Sequence, residues 1–98
     1  MKMSPMKTYL TRWVENGVAR SAVLNVCGIR RVMRKAWEAK TSSQVIAYQL
    51  ADDVYLPPIP VRLWYDWKYD KLTIYDLSGR YMEKSDAAIG SVKAEVVA

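Results

Sequence analysis

Residues 28–40 read Gly28-Ile29-Arg30-Arg31-Val32-Met33-Arg34-Lys35-Ala36-Trp37-Glu38-Ala39-Lys40, and this stretch decides the fold. Its apolar residues recur at i, i+3, i+4, i+7 and i+8, which is the period of one buried helical face. Asn25 precedes the stretch as a candidate N-cap, and Thr41-Ser42-Ser43 follow it. We therefore predict an amphipathic helix over about 27–40. The residues predicted to face the core are Ile29, Val32, Met33, Ala36 and Trp37.

The same stretch carries a cluster of positive charge outside its apolar face. Arginine forks match the geometry of phosphate and carboxylate groups, so the cluster predicts a surface that binds an anionic macromolecule. The alternative is that these side chains extend over the core and contact only solvent. The candidate binding residues are Arg30, Arg31, Arg34 and Lys35, with Lys40, Arg12 and Arg20 as extensions.

The bulk composition is typical of a small basic globular protein. A length of 98 residues, 51% of them hydrophobic, allows one domain with a core, and the net charge is +5. Residues 1–50 carry nine Lys/Arg and two Asp/Glu, a net charge of +7, whereas residues 51–98 carry six and eight, a net charge of −2. Such an imbalance attracts polyanions at long range.

Several kinds of site are missing from the sequence. Cys27 is the only cysteine, so an internal disulfide is excluded. There is no histidine, so a zinc site of the usual kind is excluded, and so is a catalytic nucleophile activated by a histidine base. The four glycines stand alone, without the spacing of a phosphate-binding loop. We therefore predict no enzyme activity, no catalytic residue, no metal, no cofactor and no small-molecule substrate.

The sequence also bears on location. It begins without the apolar core of a signal peptide, and no run approaches the roughly 20 apolar residues of a membrane span. A cytoplasmic protein without membrane contact is expected.

Residues 7–24 permit two interpretations. Asn16-Gly17 lies between two runs of β-branched and aromatic residues, which predicts a β-hairpin that places Trp13 opposite Arg20. Alternatively, residues 17–23 together with Val26 resemble the turn and recognition helix of a helix-turn-helix DNA-binding motif. Trp13 stands where that motif usually has a small residue, so the hairpin is favoured.

The C-terminal half contains the clearest strand patterns. Residues 44–50 alternate as a strand does, a turn at 51–53 and a brief strand at 54–56 follow, and residues 56–60 are proline-rich. That proline-rich stretch is interpreted as an extended connector, with a polyproline ligand as the less favoured alternative. Residues 61–68 and 72–77 then predict a hairpin, with Asp66 and Asp70 near its tip as turn and solubility residues.

The second hairpin has one apolar face and one mixed face. The mixed face combines aromatic rings with cations, a pattern that suits either unpaired bases or a protein partner. It is the second candidate contact surface, and its residues are Arg62, Trp64, Lys68 and Tyr75.

Together these elements predict an α+β fold. We expect one antiparallel sheet of about 4–5 strands, in the order β-β-α-β-β-β, with the helix of residues 27–40 packed on one face. Residues 1–82 form the predicted domain, and residues 83–98 are expected to be a frayed tail or a marginal helix.

The predicted function is non-catalytic binding of an anionic macromolecular surface, most simply nucleic acid. The alternative is a protein-binding regulator or inhibitor of the kind found among phage and mobile-element accessory proteins. It would occlude a host or partner protein through the Trp64 and Tyr75 face or through the basic helix. An acidic protein surface satisfies the same electrostatics, and a homodimer is compatible with the sequence.

Overall fold

The computed structural model describes residues 7–50, 56–87 and 90–93, which form two antiparallel sheets and one helix that contacts both of them. The α+β class predicted from the sequence is confirmed. The first sheet has the order β2-β1-β3-β4 and the second has the order β5-β6-β7-β8. The elements are β1 (Tyr9–Glu15), β2 (Val18–Leu24), helix α1 (Val26–Glu38), a 3-10 helix (Ser42–Gln44), β3 (Ile46–Gln49), β4 (Ile59–Pro60), β5 (Arg62–Asp66), β6 (Lys71–Tyr75), β7 (Tyr81–Asp86) and β8 (Gly90–Lys93).

The β1–β2 hairpin turns at Asn16 and Gly17, whose φ angles are 53° and 76°. Two consecutive positive φ values are those of a type I′ turn, which suits Asn-Gly because glycine has no Cβ and asparagine tolerates the left-handed region. The register places Trp13 opposite Arg20, as predicted. The hairpin is thus confirmed, and the helix-turn-helix interpretation is wrong because residues 18–24 form a strand.

Helix α1 begins where Asn25 caps it. The Asn25 side-chain oxygen accepts a hydrogen bond from the Gly28 amide at 2.9 Å. At the other end, the amides of Lys40 and Thr41 bond to the carbonyls of Trp37 and Ala36 at 3.1 and 2.7 Å. This is the Schellman arrangement, with Lys40 (φ 62°) in the left-handed position that glycine usually takes.

The apolar face of α1 differs at its edges from the sequence prediction. Ile29, Met33 and Ala36 are buried, but Val32 is only half-buried and Trp37 is 44% exposed. Trp37 lies at the end of the helix and packs against other aromatic rings at the surface instead of entering the core. The remaining core residues are Tyr9, Val26, Val45, Ala47, Val61, Leu72 and Ile74.

The single sheet predicted from the sequence is corrected to two. The chain changes sheets at Val61, which is buried and whose amide bonds to the Ala47 carbonyl at 3.0 Å. Because prolines lack an amide donor, the strand before Val61 pairs with β3 over only two residues. The proline-rich stretch therefore connects the two sheets, as predicted, and its last two residues form β4. The turn predicted at 51–53 and residues 54–55 lie outside the described residues, and Leu56 is not in a strand.

The predicted tail after residue 82 is also corrected. Residues 83–86 complete β7, and Gly90–Lys93 form β8 against it. The sequence pattern did not predict β7 because the residues at its inward positions are polar. Glu83 and Ser85 are both buried. An alternating pattern with Glu and Ser at the core positions has no hydrophobic period to detect. Residues 94–98 lie outside the described part of the chain.

Glu83 joins the two sheets across the core. It is 1% exposed, and its Oε2 accepts a hydrogen bond from the Tyr9 hydroxyl of β1 at 2.5 Å. The other carboxyl oxygen, Oε1, has no hydrogen-bond partner among the described residues. A buried carboxyl group needs a hydrogen-bond partner. The bond from Tyr9 therefore favours the one arrangement of β1 and β7 in which Glu83 has that partner.

Candidate functional site

Arg30 is an internal residue of the fold and not part of a free cationic surface. Its side chain is 13% exposed, and its Nη1 lies 2.6 Å from Oδ2 of Asp70. Its Nε donates to the Ser85 hydroxyl at 3.2 Å, and that hydroxyl lies 3.4 Å from the sulfur of Cys27. These contacts attach α1 to the second sheet, so Arg30 is removed from the predicted binding surface.

Asp70 accepts the contacts that hold α1 to the second sheet. It lies in the turn between β5 and β6 and is 16% exposed. Besides Arg30, it accepts a hydrogen bond from the Tyr65 hydroxyl at 2.8 Å and a longer one from Arg34 at 3.4 Å. The prediction of a solubility residue is wrong for Asp70, since the carboxylate is a structural anchor. Asp66 matches its prediction, because it accepts the Lys68 amide within the turn at 3.1 Å.

We expect Tyr65 to ionise at a higher pH than an ordinary tyrosine. Burial raises its pKa from 10.0 to about 12, and the hydrogen bond to Asp70 and the Asp70 charge add to this effect. The folded protein therefore keeps a proton that the unfolded chain releases above pH 10, so this contribution to stability is complete below pH 10 and is lost as the pH rises to about 12. Tyr65→Phe should reduce the tyrosinate absorbance that develops near pH 12 in an ultraviolet absorbance titration. An unchanged amplitude in that range would contradict the assignment.

The other helix cations divide into two groups. Arg34 lies toward Asp70 and Glu38, at 3.4 and 3.8 Å, and remains 63% exposed. Arg31 and Lys35 are exposed on the side of α1 that lies toward the β1–β2 hairpin. Because they are four residues apart, they stand one helical turn from each other. Within the described residues, neither Arg31 nor Lys35 forms an ion pair.

A groove separates α1 from the end of the β1–β2 hairpin, and we call it the hairpin groove. Its volume is about 670 Å³. Arg31 and Lys35 stand on its helix wall, and Trp13 and Glu15 stand on its hairpin wall. Leu24, Val32 and Ala36 supply apolar surface between the walls. The other lining residues are Val14, Asn16, Gly17, Ala39 and Thr41.

The three predicted extensions of the cationic surface are scattered. Arg12 precedes Trp13 in the strand and so lies on the opposite face of the sheet, where its guanidinium is 5.9 Å from the centre of the Tyr48 ring. Arg20 is exposed opposite Trp13, and Lys40 is exposed just beyond Ala39. The seven predicted residues therefore do not form one continuous surface.

The second predicted surface is partly assembled. Arg62 lies directly opposite Tyr75, and Trp64 lies opposite Thr73 on the same face of the second sheet. Trp64 is strongly exposed, and the Tyr75 ring packs against that of Tyr81 at 6.4 Å. Lys68 is not part of this face, because β5 ends at Asp66 and Lys68 belongs to the turn.

A further aromatic cluster lies at the end of α1. The rings of Trp37 and Trp67 are stacked 6.2 Å apart with an angle of 11° between them. Tyr65 lies 6.4 Å from Trp37 in a tilted arrangement. Trp67 is exposed. We call Trp37, Trp67 and Tyr65 the aromatic cluster.

Comparison with known proteins gives no match. No protein-family model, no curated protein and no solved structure is significantly similar to this chain. The candidate site therefore rests on its own geometry. Over residues 7–50, 56–87 and 90–93, no group of three or more His, Cys, Asp and Glu side chains is arranged to hold a metal ion. No helix in those same ranges is both long and apolar enough to cross a bilayer.

The sequence interpretation missed the hairpin groove. Trp13 was considered for its position opposite Arg20 and as an obstacle to a helix-turn-helix, and Arg31 and Lys35 as members of a larger cluster. The helix period already separates these cations into two pairs. Positions 31 and 35 lie on one side of the helix, and positions 30 and 34 lie on another. The sequence does not predict that the β1–β2 hairpin lies beside Arg31 and Lys35.

Proposed function

We propose that this protein is a non-catalytic binding protein that holds a nucleic-acid strand along the hairpin side of α1. The observation that carries the proposal is the pair Arg31 and Lys35, two exposed cations one turn apart. No acidic residue within the described part of the chain forms an ion pair with either of them. The role fits a cytoplasmic protein whose single cysteine forms no internal disulfide.

The electrostatics of the helix support a polyanion as the ligand. Arg31 and Lys35 stand one turn apart on α1, and the exposed Lys40 follows just beyond the helix. A phosphate backbone offers repeated charges to these cations, and binding releases its condensed counterions. Contacts of this kind supply affinity without reading sequence. The proposal is therefore one of general binding with a strong dependence on salt.

Charge reversal at the two groove cations tests the proposal. Arg31→Glu/Lys35→Glu should weaken binding to labelled random oligonucleotides at least tenfold at low salt, measured by fluorescence polarisation. Because two phosphate contacts are lost, the slope of log K against log salt should decrease by about 2. Both side chains are exposed, so a melting curve should show a folded variant.

The control changes the same net charge elsewhere. Lys68→Glu/Arg80→Glu reverses two exposed cations outside the hairpin groove. We expect this variant to keep most of the affinity. An equal loss in both double variants, or no salt-dependent binding by the unaltered protein at micromolar concentration, overturns the proposal.

The second candidate function is a protein-binding regulator that occludes its partner. The observation that favours it is exposed aromatic surface: the aromatic cluster with Tyr69 at one end of the molecule, and Trp64 on the outer face of the second sheet. Exposed tryptophan and tyrosine side chains are typical of interface hot spots. A partner retained after nuclease treatment, and lost on Trp67→Ser or Trp64→Ser but not on Arg31→Glu, would favour this function over nucleic-acid binding.

A further inference from the structure

The two walls of the hairpin groove differ in chemistry. On the hairpin wall, the Trp13 indole nitrogen donates to the Glu15 carboxylate at 3.3 Å, which fixes the position of the ring. On the helix wall, Arg31 and Lys35 supply positive charge. A ligand that fits both walls has a flat apolar part with hydrogen-bond donors on one side and negative charge on the other.

We propose that the hairpin groove takes one unpaired nucleotide, with the base against Trp13 and the adjacent phosphates on Arg31 and Lys35. This inference rests on the proposed function and specifies its ligand as a single strand. Two interactions bind single strands to proteins: stacking of bases on aromatic rings, and contacts between cations and the phosphate backbone. The hairpin groove brings one aromatic ring and two cations together for both of them.

The hairpin groove favours a single strand over a duplex as the source of the bound base. Its volume of about 670 Å³ is that of a site for a small ligand. A base inside a duplex is stacked and paired, so its face reaches a protein ring only after it has been flipped out. An unpaired base reaches Trp13 without that penalty, so we expect single strands to bind more tightly than duplexes.

Glu15 sets the direction and the base preference. Its negative charge repels phosphates from the hairpin wall and leaves the helix wall as their place. A carboxylate accepts a hydrogen bond from the exocyclic amino group of cytosine, a group that thymine lacks. We therefore expect oligo-dC to bind more tightly than oligo-dT, two pyrimidine strands of equal size.

Substitutions at Trp13 test the role of the ring. Trp13→Leu keeps an apolar side chain against the core, and Trp13→Phe keeps a ring. We expect Trp13→Leu to weaken single-strand binding roughly tenfold or more, with little change in duplex binding or in the salt slope. Trp13→Phe should retain most of the affinity. Equal single-strand affinities for Trp13→Leu and the unaltered protein overturn the inference, and melting curves establish that each variant is folded.

A second variant keeps the inference testable if Trp13→Leu does not fold. Glu15→Gln should reduce the preference for oligo-dC over oligo-dT while leaving the salt slope unchanged. An unchanged preference overturns the assigned direction of the strand. An acidic peptide that displaces oligo-dC from the unaltered protein and binds Trp13→Leu equally well would show that the groove takes a protein segment, which also overturns the inference.

The outcomes separate this inference from the proposed function. If Arg31→Glu/Lys35→Glu loses binding but Trp13→Leu does not, the protein binds nucleic acid and the base does not enter the groove. If neither single strands nor duplexes bind the unaltered protein, the proposed function fails and the inference fails with it.

Discussion

Met33→Asp is expected to unfold this protein, whereas Arg34→Glu at the next position is expected to leave it folded. Met33 is 5% exposed in the core between the two sheets. Its replacement loses about 1.5–3 kcal/mol of apolar burial and places a charged carboxylate in the apolar core. Since a domain has roughly 5–15 kcal/mol of stability, the combined loss is enough to unfold it.

Arg34→Glu provides the matched comparison. The Arg34 side chain is 63% exposed, and its contacts with Asp70 and Glu38 are long. Reversing this charge should cost about 1 kcal/mol or less, because exposed ion pairs contribute little. Circular dichroism on heating measures both variants. Equal melting temperatures would mean that the buried face of α1 is wrongly assigned.

Asp70→Asn is expected to be the most destabilising substitution among the surface turns, at about 3 kcal/mol. The change removes the charge that Arg30 faces at 2.6 Å, while Arg30 itself remains mostly buried. Asparagine accepts the left-handed backbone of this turn position, φ 50°, so the loss reports the ion pair and not backbone strain.

Chemical denaturation of Asp70→Asn and Glu38→Gln separates the two kinds of ion pair. Glu38 faces Arg34 at 3.8 Å with both side chains well exposed, so Glu38→Gln should change the free energy of unfolding by no more than about 1 kcal/mol. If Asp70→Asn is as mild as Glu38→Gln, the Asp70 anchor does not hold α1 to the second sheet.

Local patterns in the sequence were sufficient for α1 and for the first hairpin. The helix period, the Asn25 cap and the Asn16-Gly17 turn each involve residues within a few positions of one another. The second sheet was only half predicted, because β7 has Glu83 and Ser85 at its inward positions. A polar residue can be predicted to lie in a core only when its hydrogen-bond partner is known. The partner of Glu83 is 74 residues away in the sequence.

The candidate site shows the same limit. Arg30 and Arg31 are both arginines and are adjacent in the sequence. Arg30 is mostly buried against Asp70, whereas Arg31 is exposed at the hairpin groove. Their difference comes from tertiary partners, Asp70 for Arg30 and the hairpin wall for Arg31. The sequence predicted which type of residue binds an anion, and the fold decides which of these residues are free to do so.

The bond from Tyr9 to Glu83 bears on how the protein is made. A ribosome adding roughly 5–20 residues per second needs about 4–15 s to extend the chain across the 74 residues between these partners. During that interval the nascent hairpin exposes a tyrosine destined for the interior. A translation product that stops short of position 83 lacks the acceptor altogether, so premature termination should yield material for proteases rather than a smaller working protein.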